Sequence, residues 1–487
     1  MRVAGAGLLA AAIAMILSAA VAVLDGGGGA RGLLLSALLT GLAGVVLFFG
    51  SQVSATADSA LAFASVAWSW LAVSLAGSLP FLLTGVIPWG QFDNALFESI
   101  SGFTCSGSTI LVNFDAVPQG VLFYRSLTQW LGGMGLVVLA VAVLPALGIG
   151  GLDLIASEAP GPTADRLSLR VRDTARKLWL LYGAMTGALT LVLLTIGMSA
   201  FDAVTHAFTT ISTGGFSPHA ESIAYFDSFT IELILMVGML LSGASFSIHW
   251  HALRQGIGAY RRVSEVRWYL SLVFGAFGML VWVNLGELGW LQNLRESLFY
   301  AVSLGSNTGF GNSDFVLWMP AAHLLLLVLM LVGGMSGSTA GGMKVLRLQV
   351  VFKYSFRELM RARHPNSVIP IRLGRTTIEE QIAAKVVGFV LLYLGLILVG
   401  GVILSGLGVD PVTAFSGSAS ALGNVGPALG EAGPTSNFLV FPRAGRIVLM
   451  AMMALGRLEL FPAMLMLVAS LRGLDRSRLQ RDRERSQ

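Results

Sequence analysis

The sequence predicts an all-α integral membrane protein in which four pseudo-symmetric repeats surround one pore, preceded by two N-terminal transmembrane helices. Three observations lead to this prediction. The 487 residues are 55% hydrophobic and 12% charged, with a mean hydropathy of +0.76, which is far more apolar than a soluble domain requires. Apolar segments long enough to cross a bilayer recur along the chain, and four loops rich in Gly, Ser and Thr interrupt them.

The first two apolar segments are predicted to be spanning helices. Arg2 followed by an apolar run over 3–24 resembles a signal peptide, but the apolar region of a signal peptide is only about 7–15 residues long. This run has the roughly 20 residues that a span requires, and a second span follows over 33–49. We therefore expect a retained helix pair within residues 1–52.

The remaining apolar segments bring the number of candidate crossings to ten. They lie near 59–84, 120–145, 177–198, 229–249, 268–286, 320–354, 384–406 and 444–471. Between them, four stretches of about a dozen moderately apolar residues are too short to cross and are predicted to be re-entrant helices, near 94–102, 203–210, 294–304 and 412–422. Each repeat thus has a span, a pore helix, a filter loop and a span, which divides the chain into pore repeats at 53–150, 151–262, 263–375 and 376–472 and a basic cytoplasmic tail at 473–487.

The charge distribution predicts the orientation. Most of the 31 Lys and Arg residues follow the second span of a repeat or lie in the tail, and loops that remain in the cytoplasm are enriched in these residues. Both termini should therefore be cytoplasmic and the four loops should face outward. All four repeats share this orientation, unlike inverted-repeat transporters. The net charge of +5 is explained by these loops rather than by nucleic-acid binding.

The four loops carry the predicted chemistry. Backbone carbonyls from four loops can replace the hydration shell of a cation without net charge, and glycine permits the backbone angles that this requires. The pore helices would direct the negative ends of their dipoles toward the same point. A single glycine-rich stretch is more often a helix-packing surface, but four of them, each after a short helix, favour a pore. The key glycines, aligned by sequence, are Gly107, Gly214, Gly309 and Gly426.

Five segments together resemble the signatures of the Trk/Ktr/HKT potassium-transporter superfamily, and its bacterial TrkH branch fits best. They are Phe103-Thr104-Cys105-Ser106-Gly107-Ser108-Thr109, Arg125-Ser126-Leu127-Thr128-Gln129-Trp130-Leu131-Gly132-Gly133-Met134-Gly135, Ser212-Thr213-Gly214-Gly215-Phe216, Ser306-Asn307-Thr308-Gly309-Phe310-Gly311 and Gly423-Asn424-Val425-Gly426-Pro427. The resemblance covers nearly the whole chain.

The resemblance implies K⁺ uptake across a bacterial inner membrane through a filter of backbone carbonyls. Its K⁺-binding residues would be Cys105, Ser106, Gly107, Ser212, Thr213, Gly214, Asn307, Thr308, Gly309, Asn424, Val425 and Gly426. Cys105 departs from the usual threonine, which leaves selectivity for K⁺ over Na⁺ open. The resemblance also implies a homodimer in membrane lipid, regulated by cytoplasmic nucleotide-binding subunits of the RCK/KTN type that contact basic loops near 146–176, 250–267 and 344–381.

A glycine-rich segment interrupts the second span of the third repeat. Residues 333–342 include Gly333, Gly334, Gly337, Gly341 and Gly342, and such a segment is not a stable lipid-facing helix. It is either a flexible gate beneath the filter, as the resemblance implies, or a kink packed against its neighbours. Lys344 follows Met343, so the Gly-Lys-Ser/Thr ending of a phosphate-binding loop is missing.

Three charged residues lie in or near predicted spans. Arg457 is inside the last span, where a charge usually faces a bundle interior; it either pairs with Glu459, reaches an interface, or lies near the permeation path below the filter. Arg125 and Glu232 lie near span ends and are expected to be interfacial or paired.

No catalytic constellation or transition-metal site is present in the sequence, and the single cysteine, Cys105, excludes an intrachain disulfide. The chain is predicted not to be an enzyme and to need no cofactor beyond K⁺ as the transported ion. The alternatives to a K⁺-selective pore are a Na⁺- or H⁺-coupled cation symporter, a poorly selective monovalent cation channel and a non-transporting scaffold.

Overall fold

Apolar helices form most of the computed structural model, which describes residues 1–51, 59–142, 164–364, 366–367, 369–374 and 376–458. The predicted tail at 473–487, Glu459, the boundary between the first two repeats and residues 459–471 of the last predicted span lie outside the described residues. Two large clusters of buried apolar side chains hold the bundle together, one around the second and third repeats and one around the N-terminal helices and the first and fourth repeats.

The two predicted N-terminal spans are helices, Arg2–Leu24 and Ala30–Gly50. They pack closely because small residues face each other: a Cβ on Gly5 would lie 2.5 Å from the backbone nitrogen of Phe48. Gly26, Gly27 and Gly29 have positive φ angles and form the turn between the helices.

The helices of the structure are described in the order of the four predicted repeats. The first repeat contains Ser59–Gly77, Leu79–Leu83, Phe92–Thr104 and Gln119–Ala142, and the second contains Ala164–Thr195, Ala200–Ile211, Phe229–Ser242, Phe246–Gln255 and Gly258–Arg262. The third contains Ser264–Val283, Trp290–Gly305, Pro320–Val332 and Val345–Arg363, and the fourth contains Glu380–Gly406, Pro411–Gly423 and Arg443–Arg457. Short 3₁₀ turns occur at Trp89–Gln91, Ser222–Phe226, Phe315–Leu317, Gly430–Ala432 and Phe438–Val440.

All four predicted pore helices are helical and slightly longer than predicted, and two of them begin at a side-chain cap. Ser199 accepts a hydrogen bond from the backbone nitrogen of Asp202 at 3.0 Å, so the second pore helix begins at Ala200. In the fourth, the Asp410 carboxylate accepts from Val412 N at 3.0 Å, and Pro411 occupies the first helical position.

Five helices among the described residues are long and apolar enough to span a membrane. They are Arg2–Leu24, Ala30–Gly50, Asp173–Thr195, Ser264–Val283 and Glu380–Gly406. The apolar segment predicted at 229–249 is not one straight span, because Phe229–Ser242 and Phe246–Gln255 meet at an angle of 97°. The glycine-rich segment of the third repeat provides hydrogen bonds at this break, where Gly243 O accepts from Met335 N at 2.8 Å and Phe246 N donates to Gly337 O at 3.1 Å.

A small antiparallel hairpin departs from the predicted all-α fold. Strands Ile371–Leu373 and Thr376–Ile378 pair with Ile371 opposite Ile378, and Gly374 in the connection has a φ of +62°. Both isoleucines are buried against Val350 and Ala383. The apolar contact therefore holds this short hairpin, whose few residues carry too weak an alternating pattern to predict a strand.

Candidate ion-conducting site

The four pore helices end with the same backbone geometry. Each is followed by a residue in the left-handed conformation: Cys105 (φ 55°), Thr213 (φ 51°), Asn307 (φ 60°) and Asn424 (φ 54°). The next backbone nitrogen donates to the carbonyl five residues earlier, at 2.9 Å for Ser106, 2.8 Å for Gly214, 2.9 Å for Thr308 and 3.0 Å for Val425. This is the helix-ending motif that turns the chain sharply at a positive φ.

A glycine with positive φ follows two residues after each left-handed residue. These glycines are Gly107 (φ 78°), Gly215 (φ 75°), Gly309 (φ 80°) and Gly426 (φ 115°). The alignment of the second loop on Gly214 is therefore wrong by one residue. Two adjacent glycines make the sequence ambiguous here, and only their backbone angles distinguish them. The structural equivalent of Cys105-Ser106-Gly107 is Thr213-Gly214-Gly215, while Ser212 is the cap of the preceding helix.

The key glycines bring the four loops into contact in chain order. A Cβ on Gly107 would lie 2.5 Å from the carbonyl oxygen of Gly214, and one on Gly426 would lie 3.1 Å from that of Ser106. A Cβ on Gly215 would lie even closer to the carbonyl oxygen of Thr308, and one on Gly309 even closer to that of Val425. Each glycine thus meets the residue before the glycine in the next loop. The contacts run from the first loop to the fourth and back to the first, which closes a ring.

A cavity of about 200 Å³ lies on one side of this ring. All four positive-φ glycines line it, together with the polar residues Ser108, Thr109, Ser217, Thr435, Ser436 and Asn437. Gly214 is not among the lining residues, which agrees with the corrected alignment of the second loop. The ring of loops therefore borders a cavity with polar walls.

A buried ion pair supports the wall of this cavity. Arg125 and Glu98 are 2% and 1% exposed and form a salt bridge, so Arg125 is paired and buried rather than interfacial. Arg125 Nη1 also donates to Ser217 O at 2.9 Å, and its guanidinium carbon lies 3.4 Å from the centre of the Phe216 ring. Glu98 accepts from Ile110 N at 3.0 Å. The pair therefore holds the first and second loops together. Glu232, the other charged residue expected near a span end, forms an ion pair with Arg295.

Gln129 is a supporting residue that the sequence reasoning missed. It is completely buried, and its amide Nε2 donates to Gly214 O at 2.7 Å while its Oε1 accepts from Phe216 N at 3.0 Å. Its own carbonyl accepts from Cys105 Sγ at 3.1 Å. An amide side chain within a predicted membrane span was the available signal, because a buried amide needs partners for all its groups.

The glycine-rich segment of the third repeat folds back between two helices. Gly333 (φ 72°) follows Val332, and Lys344 (φ 76°) precedes the helix that begins at Val345. Lys344 N donates to Val332 O at 2.8 Å and Val345 N to Gly334 O at 3.0 Å, so the two ends of the segment are held together. The buried Lys344 ammonium donates to Ala340 O.

This segment packs against the ends of the pore helices. The Thr339 hydroxyl donates to Ile211 O at 3.0 Å, and the Thr213 hydroxyl lies 3.3 Å from it. A Cβ on Gly333 would lie 2.9 Å from Asn307 Oδ1, and one on Gly341 would overlap Gly423 O. Gly337 and Gly342 also have positive φ angles, and Gly334 faces Gly243 O. The segment thus contacts residues at the start of the second and third loops, Thr213 and Asn307. The cavity is lined instead by the glycines two residues further along each loop.

Arg457 connects three parts of this site. It is 1% exposed, and its guanidinium donates to Thr339 O at 3.0 Å, Gly132 O at 2.9 Å and Cys105 Sγ at 3.2 Å. The alternative in which it reaches an interface is wrong, because its side chain is buried. Its partners in the described chain are neutral, so a full positive charge lies beside the first loop and the glycine-rich segment.

Apolar helices that enclose a ring of glycine loops define the class of this molecule, an integral membrane transport protein. A model of the TrkH family, described as a cation transport protein, matches residues 35–276 and 286–472. The chain belongs to the TrkH family of cation transport proteins, and the resemblance to the Trk/Ktr/HKT superfamily is confirmed.

Several relatives are similar over most of their length. The chain is 42% identical to the Trk system potassium uptake protein TrkH of Halomonas elongata over 404 residues, which are 82% of this chain and 83% of the relative. It is 38% identical to TrkH of Escherichia coli strain K12 with the same shares covered. The crystal structure of the potassium transporter TrkH from Vibrio parahaemolyticus has a TM-score of 0.87 and 33% identity, covering 96% of this chain and 98% of that one. These relatives are transport proteins and not enzymes, as the sequence predicts.

Proposed function

We propose that this chain takes up K⁺ across a bacterial inner membrane through the ring of four loops. The observation that carries the proposal is the closed set of contacts in which each positive-φ glycine meets a carbonyl of the next loop. Such a ring presents backbone oxygens of four loops at one level, which is what a dehydrated monovalent cation requires. The names of the relatives, which describe potassium uptake, support K⁺ as the ion.

The proposed filter consists of three residues from each loop. They are Cys105, Ser106 and Gly107; Thr213, Gly214 and Gly215; Asn307, Thr308 and Gly309; and Asn424, Val425 and Gly426. The left-handed residue turns the backbone, the middle residue supplies the carbonyl that meets the glycine of the preceding loop, and the glycine permits this close approach. Ser212, which the sequence alignment included, belongs instead to the end of its pore helix. The carboxyl ends of four helices add negative potential.

Cys105 is compatible with this filter. Its side chain is buried and donates to Gln129 O at 3.1 Å, so it faces the supporting helix. The backbone at Cys105 keeps the same left-handed geometry as at Thr213. The carbonyls would therefore bind the ion as they would with threonine at this position.

We further propose that residues 333–344 are the gate. The segment lies against the pore-helix ends, and individual hydrogen bonds hold it there; besides neutral groups, these involve Lys344, Arg457 and the Glu265 carboxylate, which accepts from Ser336 N at 2.7 Å. Such contacts can be exchanged without unfolding the helices on either side. Arg457 would temper the occupancy of cations near the gate by its charge.

The assembly and orientation are proposals of the same kind. The four repeats would surround one pore, with the loops facing outward and both termini in the cytoplasm, as the distribution of Lys and Arg predicts. The relatives are named as parts of a Trk system, which supports the existence of partner subunits. We expect a homodimer that binds cytoplasmic nucleotide-binding subunits of the RCK/KTN type through its basic loops.

Cation uptake by a K⁺-uptake-deficient bacterial strain tests the proposed function. Gly309→Ser and Gly426→Ser should abolish uptake or change the preference among K⁺, Rb⁺ and Na⁺, because each places a side chain at a positive φ beside a carbonyl. Gly388→Ser is the matched control, since a Cβ there meets no atom within 4 Å. Normal K⁺-selective uptake by both filter variants would refute the proposal. Uptake that requires a Na⁺ or H⁺ gradient would favour the symporter.

A further inference from the structure

A second cavity shares no lining residue with the first and lies where the helices Ser264–Val283 and Val345–Arg363 meet the hairpin. It has a volume of about 610 Å³ and is lined by Ser264, Arg267, Trp268, Ser271, Gln349, Lys353, Arg372 and Gly374. Three of these side chains are cationic, and none of the lining residues in the described part of the chain is acidic. An unbalanced cluster of positive charge of this kind attracts an anion.

A buried amide points to a ligand in this cavity. Gln349 is completely buried, and its Nε2 lies 3.2 Å from Ser264 Oγ while its Oε1 has no hydrogen-bond partner. A buried unpartnered amide atom is costly unless a ligand or water satisfies it. If the amide is turned over, the Ser264 hydroxyl donates to Oε1 and the Nε2 group faces the cavity as a donor. An anion with oxygen acceptors would then satisfy every group.

The surrounding backbone also favours an anion. Ser264 is the first residue of the helix Ser264–Val283, so the cavity lies at the positive end of a 20-residue helix dipole. Lys353 donates to the carbonyl oxygen of Arg372, which holds the hairpin against the helix Val345–Arg363. Burial, with a contribution from the neighbouring Arg267 guanidinium, lowers the pKa of Lys353. A bound anion would offset both the burial of the Lys353 ammonium and its repulsion by Arg267.

Apolar residues beside the cavity indicate the source of the anion. The rings of Trp268 and Phe352 pack edge to face with centroids 5.5 Å apart. Phe352 is 60% exposed and Phe356, one helical turn further, is 58% exposed. A charged pocket next to exposed aromatic side chains is suited to a phospholipid, whose headgroup enters the pocket while its acyl chains cover the rings.

We propose that this cavity is a phosphate-binding site for the headgroup of an anionic phospholipid. Arg267, Lys353 and Arg372 neutralise the phosphate, and Gln349 Nε2 donates a hydrogen bond to one of its oxygens while the Ser264 hydroxyl holds the amide in that orientation. Free inorganic phosphate has the same chemistry and is the other source of such a group. The site is independent of ion conduction, so its test does not depend on the proposed function.

Native mass spectrometry of the purified full-length chain tests this site. The protein in detergent is titrated with phosphatidylglycerol, with phosphatidylcholine and with inorganic phosphate. We expect retention of phosphatidylglycerol over phosphatidylcholine, and binding about 10-fold weaker in Arg267→Gln/Lys353→Gln. The control Arg261→Gln/Arg363→Gln removes the same charge from exposed positions that do not line the cavity and should bind as the unaltered chain does.

A third variant separates a built site from general charge attraction. Gln349→Leu keeps every charge, and we expect binding about 5-fold weaker because one hydrogen-bond donor is lost. Competition by inorganic phosphate at the same residues would identify free phosphate as a ligand of the site. Three results overturn the proposal: equal weakening in the control variant, unchanged binding in Gln349→Leu, and no preference for the anionic lipid together with no binding of inorganic phosphate.

Discussion

Replacing Thr339 by valine removes one hydroxyl group from the contact between the proposed gate and the pore-helix ends, and changes the shape of the side chain little. Thr339 is completely buried, and its hydroxyl lies 3.0 Å from Ile211 O and 3.3 Å from Ser242 O. A hydroxyl has one proton, so it satisfies these carbonyls by a single donated or shared hydrogen bond. Its loss leaves buried carbonyls unpaired and costs about 1–2 kcal/mol, which is about a 5- to 30-fold change in an equilibrium.

If opening of the gate breaks this hydrogen bond, Thr339→Val should increase the open fraction by that factor. The measurement is Rb⁺ flux into proteoliposomes that contain the purified variant, without any partner protein, compared with the unaltered chain at equal protein content. Thr339→Ser is the matched control, because it keeps the hydroxyl and should leave the flux within about 2-fold of the unaltered chain. A folded Thr339→Val protein with the flux of the unaltered chain would contradict the gating role of residues 333–344.

Three further substitutions test the support of the loops. Gln129→Leu removes the donor to Gly214 O and should reduce discrimination against Na⁺ in Rb⁺ competition by up to about 10-fold; unchanged discrimination would count against its role. Arg125→Met leaves Glu98 charged and buried, at a cost of about 3–5 kcal/mol, seen as a lower thermal unfolding midpoint in detergent. Adding Glu98→Leu should recover much of that loss, and no recovery would contradict the ion-pair argument. Arg457→Met should increase Rb⁺ flux while Arg457→Lys, which keeps the charge, changes it less; equal fluxes would refute the charge effect.

Much of the fold was predictable because it depends on local composition. The N-terminal helix pair and the four pore helices follow from the lengths of apolar runs. A short helix between two spans can be predicted without knowing which residues pack against it. The bend between Ser242 and Phe246 was not predictable in this way. Its free backbone groups bond to Met335 and Gly337, about 90 residues further along the chain, and without these partners the break would be costly.

The candidate site was predictable in part. Residue types alone indicated which loops carry glycine beside hydroxyl and amide side chains, but the sequence left the position of Arg457 open among three alternatives, and only the structure places it in the interior. The role of Arg125 did not follow, because its partner Glu98 lies in a different helix and only the fold brings the two together. Gln129 was passed over because its partners are backbone atoms of the second loop.

By itself, the sequence determined that this chain is a helical membrane protein with four glycine loops, since hydrophobic length and residue type are local properties. Only the tertiary structure decided which glycine of the second loop is equivalent to Gly107, Gly309 and Gly426. Gly214 and Gly215 are identical as residues, and the difference between them is a φ of 75° at Gly215 and its approach to the Thr308 carbonyl. That approach exists only when loops almost a hundred residues apart are folded against each other.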